Sequence, residues 1–234
     1  MDFEPFYQEV SREVLSALNS ARTSTPLHLS TSFELGHKTV SEIGGRFIEE
    51  YVTQILSISF ERNSSFKFEL LPSRSLGDFR IESRKDSSLV LYVDIKAQHL
   101  TIREETEKYY KANKIKQKKP GESHPNLISY EKAIDFYGDV SRSKEDIAIL
   151  LVKYEPKIKS LVVNFEIKEF VLESLFLLRK LSENNLSFGM LGKGQIQLSR
   201  LNAIKFTNRS KSEFLAIIQS IAQKPRATRK TSKA

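Results

Sequence analysis

Apolar and polar positions follow two rhythms along this chain, and the rhythms divide it into elements. Within residues 3–20, Phe6, Val10, Val14, Leu15 and Leu18 recur at helical spacing. From about 39 to 58, Val40, Ile43, Phe47, Tyr51, Ile55 and Ile58 form a second helical stripe. Gly44 and Gly45 interrupt that stripe and suit a close approach to another backbone. The hydroxyl-rich segment between the two helices, with Pro26 and Gly36, reads as a loop.

The rhythm then shortens to two. "FKFELL" (66–71), "FRIE" (79–82) and "LVLYVDIKA" (89–97) read as strands, and "SRKDSS" joins the last two as a turn. "HPNLISYEKAIDFYGD" predicts a loop and then a helix ended by Gly138. "DIAILLVKYEP" and "KSLVVNFEIKEF" are apolar strands with a turn expected at Pro156. "FVLESLFLLRKLSENN" has helical periodicity, "LSFGMLGKGQIQLSRLN" is a glycine-punctuated loop entering a strand, and "SEFLAIIQSIAQ" predicts a final helix. There is no internal repeat. Strands and helices alternate without strict βαβ order, which predicts an α/β fold with a mixed central β-sheet flanked by helices. One domain is expected over 1–223, followed by a basic, flexible tail at 224–234.

Composition narrows the function classes. With 39% hydrophobic and 28% charged residues, the 234-residue chain can build a real core. It has no cysteine, which excludes a disulfide framework and a cysteine zinc site and suits a cytoplasmic setting. Its four histidines show no ligand spacing. The N-terminus lacks the basic start and apolar core of a signal peptide. No apolar run approaches the ~18 residues of a membrane span, so no membrane partner is expected. The net charge of +8 is localised. Residues 101–120 hold seven Lys/Arg against three Glu, and 224–234 hold five Lys/Arg and no acid. A near-neutral body with two basic segments points to a polyanion, nucleic acid first.

The stretch "GDFRIESRKDSSLVLYVDIKAQ" (77–98) carries the chemistry. Along a strand, Asp94 and Lys96 share one face, while Val93 and Ile95 turn to the other. Asp78 and Asp94 are equidistant from Asp86, so a hairpin centred there sets them opposite each other, with Cβ atoms about 5 Å apart. Two close carboxylates repel, and a divalent cation relieves the repulsion. Mg²⁺ takes carboxylate oxygens, keeps waters and gains ligands from phosphate. It lowers the pKa of a bound water and screens phosphodiester charge. A lysine on the same face can orient that water or meet charge building on phosphorus. Asp78, Asp94 and Lys96 therefore suffice for metal-dependent phosphodiester hydrolysis. The plainer alternative is a surface ion pair on an edge strand. Against it stands the cost of placing Asp94 and Lys96 inside an otherwise apolar strand.

"GDF" followed by "VDIK" resembles the PD-(D/E)XK nuclease signature, with Gly77 where proline often stands. "DIKAQ", "HPNLISYEKA" and "GQIQLSRLN", in that order, are similar to segments of the HincII/EcoRV branch of type II restriction endonucleases. The resemblance spans roughly 40–205. It implies a restriction-endonuclease-like fold and a prokaryotic, cytoplasmic homodimer that cuts both strands of double-stranded DNA at a short palindrome with Mg²⁺. Asp78 and Asp94 would be metal ligands, and Lys96 the catalytic lysine. An acidic residue from an N-terminal helix often completes such sites. Glu42 and Glu49 are the candidates, seven apart on one helix face, although Arg46 between them also suits a surface ion-pair ladder.

For reading DNA, the resemblance selects Asn126, which suits adenine and equally suits a helix N-cap. Lys193, Gln195 and Gln197 lie on the glycine-rich loop, where Lys can bond guanine and Gln adenine; a tight turn feeding a strand is the alternative. Gln98 follows Lys96 closely. Lys108, Lys111, Lys114, Lys116, Lys118 and Lys119 suit phosphate contacts. Two other functions fit the same residues: a structure-specific resolvase or repair nuclease, and a non-catalytic DNA-binding protein of this fold.

Overall fold

A computed structural model describes residues 2–24, 27–32, 37–99, 126–177, 195–197 and 209–222. For Glu42, Asn126, Gln195 and Gln197 the description extends to the backbone only. Lys108, Lys111, Lys114, Lys116, Lys118, Lys119, Lys193 and the 224–234 tail lie outside the described residues.

Helix α1 (Phe3–Ser24) buries Phe6, Val10, Val14, Leu18 and Ala21, so its apolar stripe is its packing face. A three-residue strand, β1 (His28–Ser30), follows where the sequence predicts only loop. It pairs with Val162, Val163 and Asn164 at the rim of the sheet, a partner that only the tertiary fold supplies. Helix α2 (His37–Glu61) buries Ile48, Tyr51, Val52, Leu56 and Phe60. A Cβ on Gly44 would stand 2.8 Å from the Tyr154 hydroxyl and 2.9 Å from Phe165 Cε1, so this glycine admits two aromatic side chains rather than another backbone. Gly45 faces open space.

Strands β2 (Phe66–Leu70), β3 (Phe79–Ser83), β4 (Val90–His99), β6 (Glu145–Lys159) and β7 (Val162–Ser174) complete a six-stranded sheet of order β1-β7-β6-β4-β3-β2. β4 and β6 are parallel and the other neighbours antiparallel, so the sheet is mixed as the sequence predicts. α1 and α2 cover one face, packing on Leu91, Val93 and Ile95 of β4 and Ala148, Leu150 and Val152 of β6. On the other face lie α3 (Tyr130–Gly138) and α4 (Lys211–Ala222), packing on Ile147, Ile149 and Leu151. Each fully buried aliphatic side chain contributes about 1.5–3 kcal/mol, so β6, covered on both faces, is a major contributor to the core.

Two predicted boundaries move. β6 runs straight through Pro156, which pairs with Phe165, and the chain turns at Ser160, whose φ of 53° is left-handed. Among the described residues β4 pairs with β6 only as far as Tyr154, so Pro156 has a described partner on the β7 side alone, where a missing N–H is tolerated. "FVLES" is strand, not helix: Phe170–Ser174 pair with Ala148–Val152 of β6. A short apolar run cannot distinguish a buried strand from a buried helix, and the β6 ladder decides it.

Candidate active site

The hairpin β3–β4 positions the acids. Phe79 pairs with Val93 and Ile81 with Leu91, the register that sets Asp78 level with Asp94. The Asp78 N–H donates to the Val93 carbonyl at 2.8 Å, continuing the ladder one residue past β3. A Cβ on Gly77 would lie 2.5 Å from the Val93 carbonyl oxygen. Glycine at 77 therefore lets the chain lie directly against β4 and deliver Asp78 there. The Asp78 carboxylate then accepts the Ile95 N–H at 2.6 Å through Oδ2.

On β4, Val93 and Ile95 are fully buried, and Asp94 and Lys96 turn to the other face. Lys96 Nζ donates to Asp94 Oδ1 at 2.6 Å, with both side chains less than a fifth exposed. β4 lies between β6 and β3, so this is an interior strand and not the edge strand of an ordinary surface pair. Burial pushes the Asp94 carboxyl up to about 6. Lys96 opposes that shift, and Asp78 and Glu49 add to it.

Glu49 belongs to the same electrostatic unit. Burial raises its pKa, Lys96 lowers it, Asp78 raises it and Arg46 lowers it, in that order of weight. Its charge is coupled more strongly to the β-hairpin than to its helix neighbour Arg46. Glu42 stands seven residues earlier on α2, and only its backbone is described.

Asp78, Asp94 and Lys96 line one cleft of about 480 Å³. Its other walls are the 71–77 loop and Ile128, Ser129 and Lys132. Lys132 Nζ donates to the Arg74 carbonyl and, at 3.4 Å, to the Ser75 carbonyl, tying α3 to that loop. Sequence reading missed Arg74 and Lys132. The only signal for Arg74 was the polar "SRSLG" run entering Asp78, and Lys132 lies within "HPNLISYEKA".

The candidate base-reading residues also converge at backbone level. β5 (Asn126–Ser129) pairs with β8 (Gln195–Gln197), with Asn126 opposite Gln197 and Ser129 opposite Gln195. Three candidates from segments far apart in sequence thus share one two-stranded ribbon beside the cleft. Ser129 is the N-cap of α3, accepting the Lys132 N–H at 3.3 Å, so Asn126 is a strand residue and not a cap. Gln98 is 5% exposed, and a direct base contact would require it to leave that position.

The donors fit a hard divalent cation. Among the described residues, no three His, Cys, Asp or Glu side chains form a complete metal cage. Mg²⁺ needs none, because one or two carboxylates plus water and phosphate satisfy it. The chemistry of the cleft agrees: a carboxylate held above its ordinary range by burial, with two neighbouring acids adding to the shift, is relieved by a cation.

No protein-family model matches this chain, and no curated protein matches it in sequence. Among solved structures it is similar to the NlaIV restriction endonuclease. The TM-score is 0.51 at 14% identity, over 90% of this chain and 78% of that one. With its mixed central sheet flanked by helices, the chain has a restriction-endonuclease-like α/β fold.

Proposed function

We propose that this protein is a sequence-specific, Mg²⁺-dependent endonuclease of double-stranded DNA, of the type II restriction class and related to its HincII/EcoRV branch. One observation carries the reading: Asp78, Asp94 and Lys96 line a single cleft on a restriction-endonuclease-like fold. Asp78 and Asp94 would hold the cation, with Glu49 the better-supported third acid. Bound there, the cation supplies charge neutralisation at the phosphodiester and a more acidic water.

The chain's own groups do the rest. The Ile95 N–H holds Asp78 in place, and Gly77 lets it lie against β4. Asp94 orients the Lys96 ammonium, which is placed to orient water or meet charge building on a phosphate oxygen. The β5–β8 ribbon, with Asn126, Gln195 and Gln197, is the candidate base reader, joined by Lys193. The lysines at 108–119 and the tail supply salt-sensitive phosphate affinity. A homodimer would carry two such clefts, one for each strand.

Plasmid incubated with the protein and Mg²⁺, followed by sequencing of the ends, tests this. Discrete fragments with a common end sequence are expected. A smear, or cutting confined to branched DNA, would favour a repair-type nuclease. Intact plasmid bound by folded protein would leave only the binding role.

A further inference from the structure

The loop between β2 and β3 contains a backbone anomaly on the wall of the cleft. The Ser75 N–H donates to the Pro72 carbonyl at 3.2 Å, closing a four-residue turn. Its third residue is Arg74, with φ at 72°, while Ser73 has no positive φ. That is the type II pattern, and its third position favours glycine. A non-glycine residue there is held under backbone strain, and such strain clusters at ligand contacts. The chain places an arginine where the backbone asks for glycine.

The charges of the cleft suggest why. Three cationic side chains line it: Arg74, Lys96 and Lys132. Lys96 is engaged by Asp94, and Lys132 by the Arg74 and Ser75 carbonyls. Among the described residues the Arg74 guanidinium has no hydrogen-bond or ion-pair partner, although its own carbonyl is pinned by Lys132. Arg74 is thus an exposed cation on a turn fixed from two sides: by Lys132 of α3, and by Gly77 against β4. A planar guanidinium on a fixed backbone is suited to a phosphate and less to a diffuse counterion atmosphere.

We propose that Arg74 is a phosphate-contact residue, gripping a DNA phosphate beside the one held at Asp78, Asp94 and Lys96. This rests on the nuclease reading. The turn trades backbone comfort for an arginine on the same cleft wall as the acids, and Lys132, bonded to the Arg74 carbonyl, is the positioning residue that holds the turn.

The test uses the full chain, a short fluorescein-labelled mixed-sequence DNA duplex, and anisotropy titrations over a range of salt, with Arg74→Ala, Arg74→Gly and Arg74→Lys. Alanine and glycine variants are expected to bind about 5- to 30-fold more weakly, and the slope of log K against log salt should fall by about 0.9, one phosphate's share. Arg74→Lys should keep the slope. Arg74→Gly should melt at or above the wild-type temperature, because glycine accepts the left-handed turn, so weaker binding there cannot be blamed on unfolding. Wild-type affinity and slope in the alanine and glycine variants would overturn the proposal and leave Arg74 a turn residue. A lysine variant whose slope falls as far as alanine's would overturn it too. Folded wild type that binds no duplex at all would overturn the nuclease reading first, and this one with it.

Discussion

Two aspartates on neighbouring parallel strands, Asp146 fully buried and Asp94 partly so, have opposite surroundings. Asp146, at the start of β6, is completely buried, and donors converge on it. The Tyr137 hydroxyl lies at 2.9 Å, Ser174 Oγ at 2.7 Å and the Ile147 N–H at 2.8 Å, with the Lys211 ammonium at 4.0 Å. Asp94, on β4, has Lys96 and otherwise sits near two more acids, beside an open cleft. Burial raises the pKa of both. The difference lies in what answers the buried charge. Asp146 is answered by the protein itself, and joins α3, α4, β6 and β7. Asp94 is answered in part, in a place that a cation and a phosphate can reach. A satisfied buried carboxylate is architecture; one crowded by like charge at a cleft is a candidate for chemistry.

The largest test of that contrast is Asp94→Ala. Cleavage of plasmid with Mg²⁺ should fall by about 10³-fold or more, the scale for removal of a catalytic electrostatic group. The variant should remain folded by circular dichroism and still bind DNA; substantial cutting would remove Asp94 from the site. Asp146→Ala should do the reverse. It strands the Tyr137 and Ser174 hydroxyls, so a loss of about 3 kcal/mol in urea unfolding is expected, with residual activity tracking the folded fraction. A stable but inactive Asp146→Ala protein would erase the distinction.

Gly77→Ala probes how finely the first acid is placed. A methyl pushed against the Val93 carbonyl must shift the 77–78 backbone, and a displacement near 1 Å should lower the cleavage rate about 10²-fold. Unchanged turnover would mean that Asp78 is not held to a working position. The smallest effect is in pH. Folded Asp146 has its pKa raised above the ordinary 3.8, so it keeps a proton over a window where the unfolded chain has lost it. Stability should therefore fall as pH rises through that window. Urea melts of Asp146→Asn should show a shallower decline than wild type, and an identical slope would place the titration elsewhere.

How much of this was legible in sequence depends on range. The β3–β4 register follows from alternation around one turn, so Asp78, Asp94 and Lys96 could be brought together on paper. Period likewise sufficed to place α1, α2 and α4 as helices, but two residues of the predicted α2 stripe, Ile43 and Ile58, are exposed, because the seating of α2 turns Ile48, Val52 and Leu56 inward instead. Local pattern failed where a distant partner decides. "FVLES" is strand because β6 pairs with it, and His28–Ser30 is strand because β7 does. Glu49 could not be separated from Glu42 by spacing, because only the seating of α2 couples its charge to Lys96 and Asp78.

By itself, then, the sequence determined the two long N-terminal helices, the acidic hairpin and its register, and the location of the positive charge. Each depends on contacts within a few residues or on composition alone. Only the tertiary structure decided that β4 is interior rather than an edge. It also set Arg74 and Lys132 on the wall of the same cleft as the acids, and paired Asn126 with Gln197. Those outcomes depend on sheet order and on helix seating, which are set by burial summed over the whole core and leave no local periodicity to read.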